Sequence, residues 1–296
     1  MKIGIMTIND LEFHPNKRLA EAASQRGHQV SLINPYRLWC SIQGGKLGSE
    51  GWLGLDALDV VLPRQGAPIG DYGLALIRHL MLMGIPVVND EDAVRLTRNQ
   101  FLTLQALAEA EVPVPDSIFV TTEEGFSQAV DLLGGYPVVA KKVNSWGGRG
   151  IILVENERIL QLVSDCFLEE RQGLVVQYFI PQAGRQDLRV LVLGDQVVGA
   201  MQLRPKNGEF RANFHLGGEA QIARLSPELI GLAVKAGEAV GLKIAGVDII
   251  VDREGQAGVI EINHSPGFKG LEAATGLDIA GLIVDYVANT YGRAQA

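Results

Sequence analysis

Cysteine is nearly absent: Cys40 and Cys166 are the only two in 296 residues, and they stand far apart with no CxxC spacing. That argues against a disulfide framework and against a thiolate zinc site. Basic charge is also short. Lysine and arginine total 26 against 34 aspartates and glutamates, a formal net charge of −8, so the chain as a whole repels phosphate backbones and does not read as a nucleic-acid binder. The longest apolar run, ALIRHLMLMGIPVV, is interrupted by Arg78 and His79 and is too short to span a bilayer. The chain opens on MKIGIMTI, a strand pattern rather than a signal peptide, so a cytoplasmic protein with no membrane partner is expected. The five histidines form no HxH or HxxxH pair and no GxSxG elbow occurs, which leaves zinc and serine-hydrolase chemistry without a motif.

What is present is an ordinary globular composition, 47% hydrophobic and 20% charged, in a chain long enough for two or three domains. Strand-like and helix-like stretches alternate at the start: KIGIMTI, NKRLAEAASQRG with Gly27 as a C-cap, HQVSLIN, DVVLP, GLALIRHLMLMG, PVVN. This alternation predicts a parallel sheet covered by helices. The expected organisation is an N-terminal α/β domain over residues 1–95, a small lid domain over 96–175 and a C-terminal domain over 176–296. In the lid a helix at about 97–111 precedes VPVPD, whose prolines break it. The strands PVVAKKV and IILVE then flank the loop NSWGGRG.

Three constellations bear on chemistry. In VIEINHSPG, residues 259–267, Glu261 and Asn263 are two apart and so share one strand face. Asp248, in the neighbouring GVDIIVD, pairs beside Glu261 if the two strands form a hairpin. Such an oxygen set suits Mg²⁺ or Mn²⁺; the same spacing also describes a strand with an exposed polar edge. The second is KKVNSWGGRG, where backbone N–H groups of a glycine-rich loop can cradle phosphate and Lys141 adds a charge. It is neither a P-loop nor a GxGxxG helix start, and a plain turn has the same composition. The third runs from Gln186 to Asn213. Asp187 and Arg189 alternate on one strand, and Arg211 and Asn213 on another segment, arranged either for a ribose and its phosphates or as a solvated strand face.

Taken in order, Lys141 with NSWGGRG, VQYFI, DLRVLV, EFRANFH, AGVDIIV, VIEINHSPG and TGLDIAG resemble the ATP-grasp ligases. Within them the chain looks most like the RimK-type α-L-glutamate ligases, which modify a ribosomal protein; VLPRQG near residue 64 is similar to that subgroup's PRxG segment. The resemblance implies an α/β fold with an α+β lid, an ATP-grasp fold behind an N-terminal Rossmann-like parallel-sheet domain. It implies that Lys141 contacts ATP phosphates and that the Tyr178–Phe179 backbone reads adenine. By the same resemblance Asp187 lies near the ribose, Arg211, Ala212 and Asn213 run along the phosphates, and Asp248, Glu261 and Asn263 hold Mg²⁺ (or Mn²⁺).

The implied activity is ligation of a carboxylate to an amine through an acyl phosphate, with Arg189 and Arg211 stabilising the charge that develops. The implied partners are ATP, an amino acid such as glutamate, a peptide, protein-terminus or small-molecule acceptor, and a second copy of the chain in a homo-oligomer. The sequence departs from the pattern at Arg98-Asn99-Gln100, where an RDK-like lysine is usual. One phosphate contact is therefore absent or moved to Arg98, and His264 stands where a small residue is common. Two readings stay open beside the glutamate ligase: a ligase for another amino acid or acceptor, and a nucleotide-binding regulatory protein without turnover.

Overall fold

The computed structural model describes all residues except 52–53, 66–68, 147–148, 169–171, 206–209, 212–218 and 293–296. The N-terminal part runs β1 (Lys2–Met6), α1 (His14–Gln25), β2 (Gln29–Ile33), β3 (Trp39–Gln43), β4 (Lys46–Glu50), β5 (Val60–Pro63) and α2 (Gly70–Leu82). The order β2-β1-β5 is parallel throughout. Ile3 to Met6 and Val60 to Pro63 are continuously buried, as expected of strands covered on both faces. PVVN, expected as a further strand, is reduced to a single parallel bridge, Val61 to Val87. The β3–β4 hairpin was not expected. Its turn is Gly44-Gly45, both at positive φ (56° and 77°), the two-residue geometry that glycine adopts without strain.

The helix expected over 97–111 is α4 (Gln100–Glu109), and a further helix that was not expected, α3 (Glu91–Thr97), precedes it. Asn99 separates them: its backbone is extended and its side chain accepts from the N–H groups of Phe101 and Leu102, so an N-cap interrupts what reads as one helical period. Then follow β6 (Ser117–Val120), α5 (Glu123–Leu132), β7 (Val138–Trp146), β8 (Arg149–Val154), α6 (Glu157–Phe167) and β9 (Leu174–Tyr178). These strands form one antiparallel sheet in the order β6-β9-β7-β8, with α5 and α6 sharing its apolar core around Phe126 and Leu160. Strand β9 crosses the boundary expected at 175/176, because its partners β6 and β7 belong to the lid.

The remainder is β10 (Gln186–Leu193), β11 (Gln196–Arg204), β12 (Glu219–Ile222), α7 (Pro227–Ala239), β13 (Ile244–Val251), β14 (Ala257–Asn263), α8 (Lys269–Thr275) and α9 (Ile279–Tyr291). The sheet order β12-β11-β10-β13-β14 is antiparallel. Helix α7 packs on one face of it with α4. The other face shares a core with the N-terminal part: Ile3, Ile5 and Leu19 pack with Leu191, Met201, Ile283 and Val287.

A polar hub joins the same two parts. The buried Asn89 donates to the carbonyls of Ile244 (2.8 Å) and His264 (2.9 Å), and its Oδ1 accepts from the N–H groups of Lys243 (2.7 Å) and Ile244 (2.9 Å). All of the amide's hydrogen-bonding capacity is thereby used.

Candidate active site

A cleft enclosing about 840 Å³ of empty space, its open mouth included, lies between the lid sheet and the β10–β13–β14 sheet. From the lid it is walled by Val139, Lys141 and Ile151, and from the sheet below by Asp187, Arg189, Leu203, Asp248, Ile250 and Glu261; Tyr178, Phe179, Phe210 and Arg211 close the sides. Strand alternation explains which side chains of β10 face the cleft. Along β10, Asp187 and Arg189 point one way and Leu188 and Val190 the other, into the α7 core.

The charged end is built by register. Asp248 on β13 stands opposite Glu261 on β14 and, on its other side, opposite Arg189 on β10. Arg189 forks onto both carboxylate oxygens of Asp248, Nε to Oδ1 at 2.7 Å and Nη2 to Oδ2 at 2.5 Å. Burial works against the guanidinium's charge, but Asp248 more than compensates and its pKa lies above the ordinary range. Burial, then repulsion from Asp248, pushes the Glu261 carboxyl above the usual carboxylate range, with Arg189 and Lys141 pulling the other way. Lys141 is 6% exposed. Desolvation lowers its pKa to about 8, although Glu261 and Asp248 favour its charged form. The arrangement brings two acids and two bases together at the buried end of the cleft, a typical setting for a functional site.

Asn263 ends β14 opposite Gly246; the pairing is regular from Glu261 to Asn263, so the two keep one strand face, while the bulge that pairs Ile249 with Val259 falls at Ile260, on the other side of Glu261. Among the described residues no three His, Cys, Asp or Glu side chains gather as a metal cage. The protein's carboxylate donors at the cleft are Asp248 and Glu261, and the Asn263 amide follows on the same face of β14. Two hard carboxylates, one with its pKa raised by burial and then by the other, fit a dication that takes its remaining ligands from water and substrate phosphates.

Asp187 lines the cleft and is bound by Arg185 (Nε to Oδ2, 3.0 Å). Burial raises its pKa, with Arg185 opposing. Arg185 also donates to the carbonyls of Ile180 (2.7 Å) and Phe210 (2.8 Å), tying the rim together. Sequence reasoning passed over Arg185; its position two residues before Asp187, in a turn between strands, was the available signal. Tyr178 is 47% exposed, and its N–H is taken by the Asp116 carbonyl at 2.8 Å. Phe179 lines the cleft and meets Phe210 edge-on, with ring centroids 6.4 Å apart. Arg211 lies over the Phe210 ring. Ala212, Asn213 and Gly147-Gly148 lie outside the described residues; strands β7 and β8 extend up to that glycine pair. Neither residue at the altered RDK-like triplet reaches the cleft wall: Arg98 pairs with Asp71 (2.9 Å), and Gln100 donates to the Ile260 carbonyl (2.8 Å).

A small lid sheet folded over an antiparallel sheet, with a buried lysine above facing carboxylates, is the architecture of an ATP-grasp ligase. The chain belongs to the RimK family: residues 1–94 match the RimK PreATP-grasp domain and residues 97–287 the RimK-like ATP-grasp domain. A "Probable alpha-L-glutamate ligase" of Pseudoalteromonas translucida (strain TAC 125) is 37% identical over 292 residues, covering 98% of this chain and 96% of its own. Among solved structures, a RimK domain protein ATP-grasp from Sphaerobacter thermophilus DSM 20745 superposes with a TM-score of 0.75 at 25% identity, covering 97% of this chain and 99% of its own. The ATP-grasp ligase PsnB, complexed with a phosphomimetic variant of its minimal precursor, Mg and ADP, shares the fold with a TM-score of 0.73 at 22% identity, over 98% of each chain. The protein is thus an ATP-dependent ligase. No helix among the described residues is long and apolar enough to cross a membrane.

Proposed function

We propose that this ligase joins a carboxylate to the amine of L-glutamate through an acyl phosphate, the acceptor carboxylate belonging to a peptide, a protein terminus or a small molecule. The observation that carries the reading is the Asp248–Glu261 pair facing Lys141 across a cleft closed by the lid. The glutamate assignment is supported by the relatives' naming as probable alpha-L-glutamate ligases. The Mg²⁺ assignment is supported by the donor set and by the Mg and ADP held in the PsnB complex.

In the proposed reaction a carboxylate oxygen of the acceptor attacks the γ-phosphorus of ATP, the bond to the ADP oxygen breaks, and an acyl phosphate forms. The glutamate amine then attacks the acyl carbon, loses a proton, and inorganic phosphate leaves with its bonding pair. Asp248 and Glu261, with Asn263 beyond Glu261 on β14, would hold Mg²⁺, which would supply charge neutralisation to the transferring phosphoryl group. Lys141, half-discharged near pH 8 in the free protein, is fully charged once phosphate oxygens face it and then holds them against the lid. Arg189 and Arg211 are the cations placed to stabilise the acyl phosphate and the tetrahedral species after it. The apolar walls, Val139, Ile151, Leu203 and Ile250, receive the base and keep water from the acyl phosphate.

The test is mass spectrometry after incubation with Mg·ATP, each L-amino acid and a mixed peptide pool. Glutamate-dependent ADP with glutamylated products is the expected result; products with another amino acid alone would replace the glutamate assignment. Glu261→Gln is expected to lower ADP formation at least a hundredfold, and unchanged turnover would overturn the site.

A further inference from the structure

Arg64 follows β5 at the seam between the N-terminal part and the C-terminal sheet, and no acid among the described residues faces its guanidinium. Its one hydrogen bond there is from Nη2 to the Pro266 carbonyl, at 2.7 Å. Its charged carbon lies 5.8 Å above the Phe268 ring, and Nε is sealed from solvent with no partner. Desolvation, uncompensated by any carboxylate, lowers its pKa to about 10. The neighbouring acid is already engaged: Glu272 is bound by Arg18 at 3.2 Å and by His14 at 3.5 Å. His14 packs edge-on against the same Phe268 ring, centroids 5.7 Å apart, and its Nδ1 is also buried without a partner.

A buried cation without a counter-charge is costly to keep, and a guanidinium has the planar fork that matches a carboxylate. The position is also specific. Pro266 is three residues beyond Asn263 and five beyond Glu261, so a fully extended backbone separates Arg64's anchor from the Glu261 Cα by at most about 17 Å. Arg64 is not among the residues that wall the Asp248–Glu261 cleft, so it does not face the reacting carboxylate, yet this bound keeps it within reach of a second carboxylate on the same substrate or on the one beside it.

Building on the ligase reading above, we propose that Arg64, with the His14–Phe268 wall, binds a carboxylate that the reaction leaves intact. Its sources are the incoming amino acid or an acidic acceptor.

The experiment uses the full chain with Mg·AMPPNP, titrated with L-glutamate in one series and with a peptide ending in glutamate in another, and followed by the shift in melting temperature. In Arg64→Gln the concentration giving half the shift is expected to rise at least tenfold for whichever ligand carries the bound carboxylate, while the response to Mg·AMPPNP stays unchanged. Arg64→Lys, which keeps the charge but not the fork, falls between. The melting temperature of ligand-free Arg64→Gln is expected to hold or rise, because a group kept only for structure would lower it. Equal half-shift concentrations in variant and unaltered protein overturn the proposal. So does a response to Mg·AMPPNP with none to either acid in the unaltered protein, which leaves the ligase reading standing; absence of any Mg·AMPPNP response strikes that reading instead.

Discussion

Arg189 grips Asp248 through both carboxylate oxygens, so the residue best placed to hold a metal is already bound to a cation of the protein itself. In the proposed reaction a dication arriving at the Asp248–Glu261 pair would have to share or displace that fork, and displacement would free Arg189 for the substrate.

Removing Arg189 exposes this competition. Arg189→Met leaves Asp248 and Glu261 facing each other with only Lys141 to offset them, and breaking a buried pair in this way costs about 3–5 kcal/mol. The apo variant is expected to melt lower by several degrees. Mg²⁺ should restore more of the loss than it adds to the unaltered protein, which a melting series against Mg²⁺ measures directly.

Asn89 is the second point of sensitivity. Asn89→Leu strips Lys243 and Ile244 of their acceptor, and Ile244 and His264 of their donor. Leaving these buried backbone groups unmatched is expected to cost about 3 kcal/mol or more, on the basis of roughly 1–3 kcal/mol for each unsatisfied group. Urea denaturation should show a lower midpoint with the slope unchanged; an unaltered midpoint would remove the hub's role.

Gln100 tests whether the altered triplet matters to the nucleotide. Its amide holds the Ile260 carbonyl, and Ile260 lines the cleft one residue before Glu261. Gln100→Leu is expected to raise KM for ATP severalfold through a displaced β14, with stability reduced by about 1–2 kcal/mol. A KM for ATP within error of the unaltered protein would show that the contact is only scaffolding.

The lid carries its own pH signature. Tyr136 donates to Glu157 at 2.8 Å, and burial followed by that carboxylate pushes its pKa up to about 12. The folded state therefore holds this proton more tightly than the unfolded chain, whose tyrosine titrates near 10. The stabilisation is complete below pH 10 and is lost as pH rises through 12. Comparing Tyr136→Phe with the unaltered protein in denaturant melts should show a gap of about 1 kcal/mol or less at pH 8. It should close above pH 12.

The parallel strands, the lid strands and the Asp248–Glu261 pairing were legible because apolar runs and two-residue spacing write themselves directly into strand faces. The alternation of Glu261 and Asn263 was legible too, since β14 stays regular between them, whereas nothing in the sequence announces the bulge at Ile260 that shifts the register on the other side of Glu261. The Gly44-Gly45 hairpin had its turn signal, but the strands on either side are exposed and mixed in polarity, so no buried face marked them. The break at Asn99 was hidden because a capping asparagine within an otherwise helical stretch reads as a tolerated residue. Arg64's isolation was not legible at all, since a missing partner is a property of the folded neighbourhood.

The N-terminal part and the C-terminal sheet share one core and one amide hub, whereas the lid keeps its own core and meets the rest mainly through Leu104, Val143 and Val175. The chain crosses between them twice, at Pro113–Asp116 and just after Tyr178, and the crossings are laced by Tyr178 N–H to Asp116 and Val259 N–H to Pro113. Mechanically this is a flap joined to its base by a double strap. ADP departure is expected to wait on its opening, and Pro115→Gly should alter that departure rate in stopped-flow displacement while leaving the carboxylate cluster untouched; an unchanged rate would remove the strap's role.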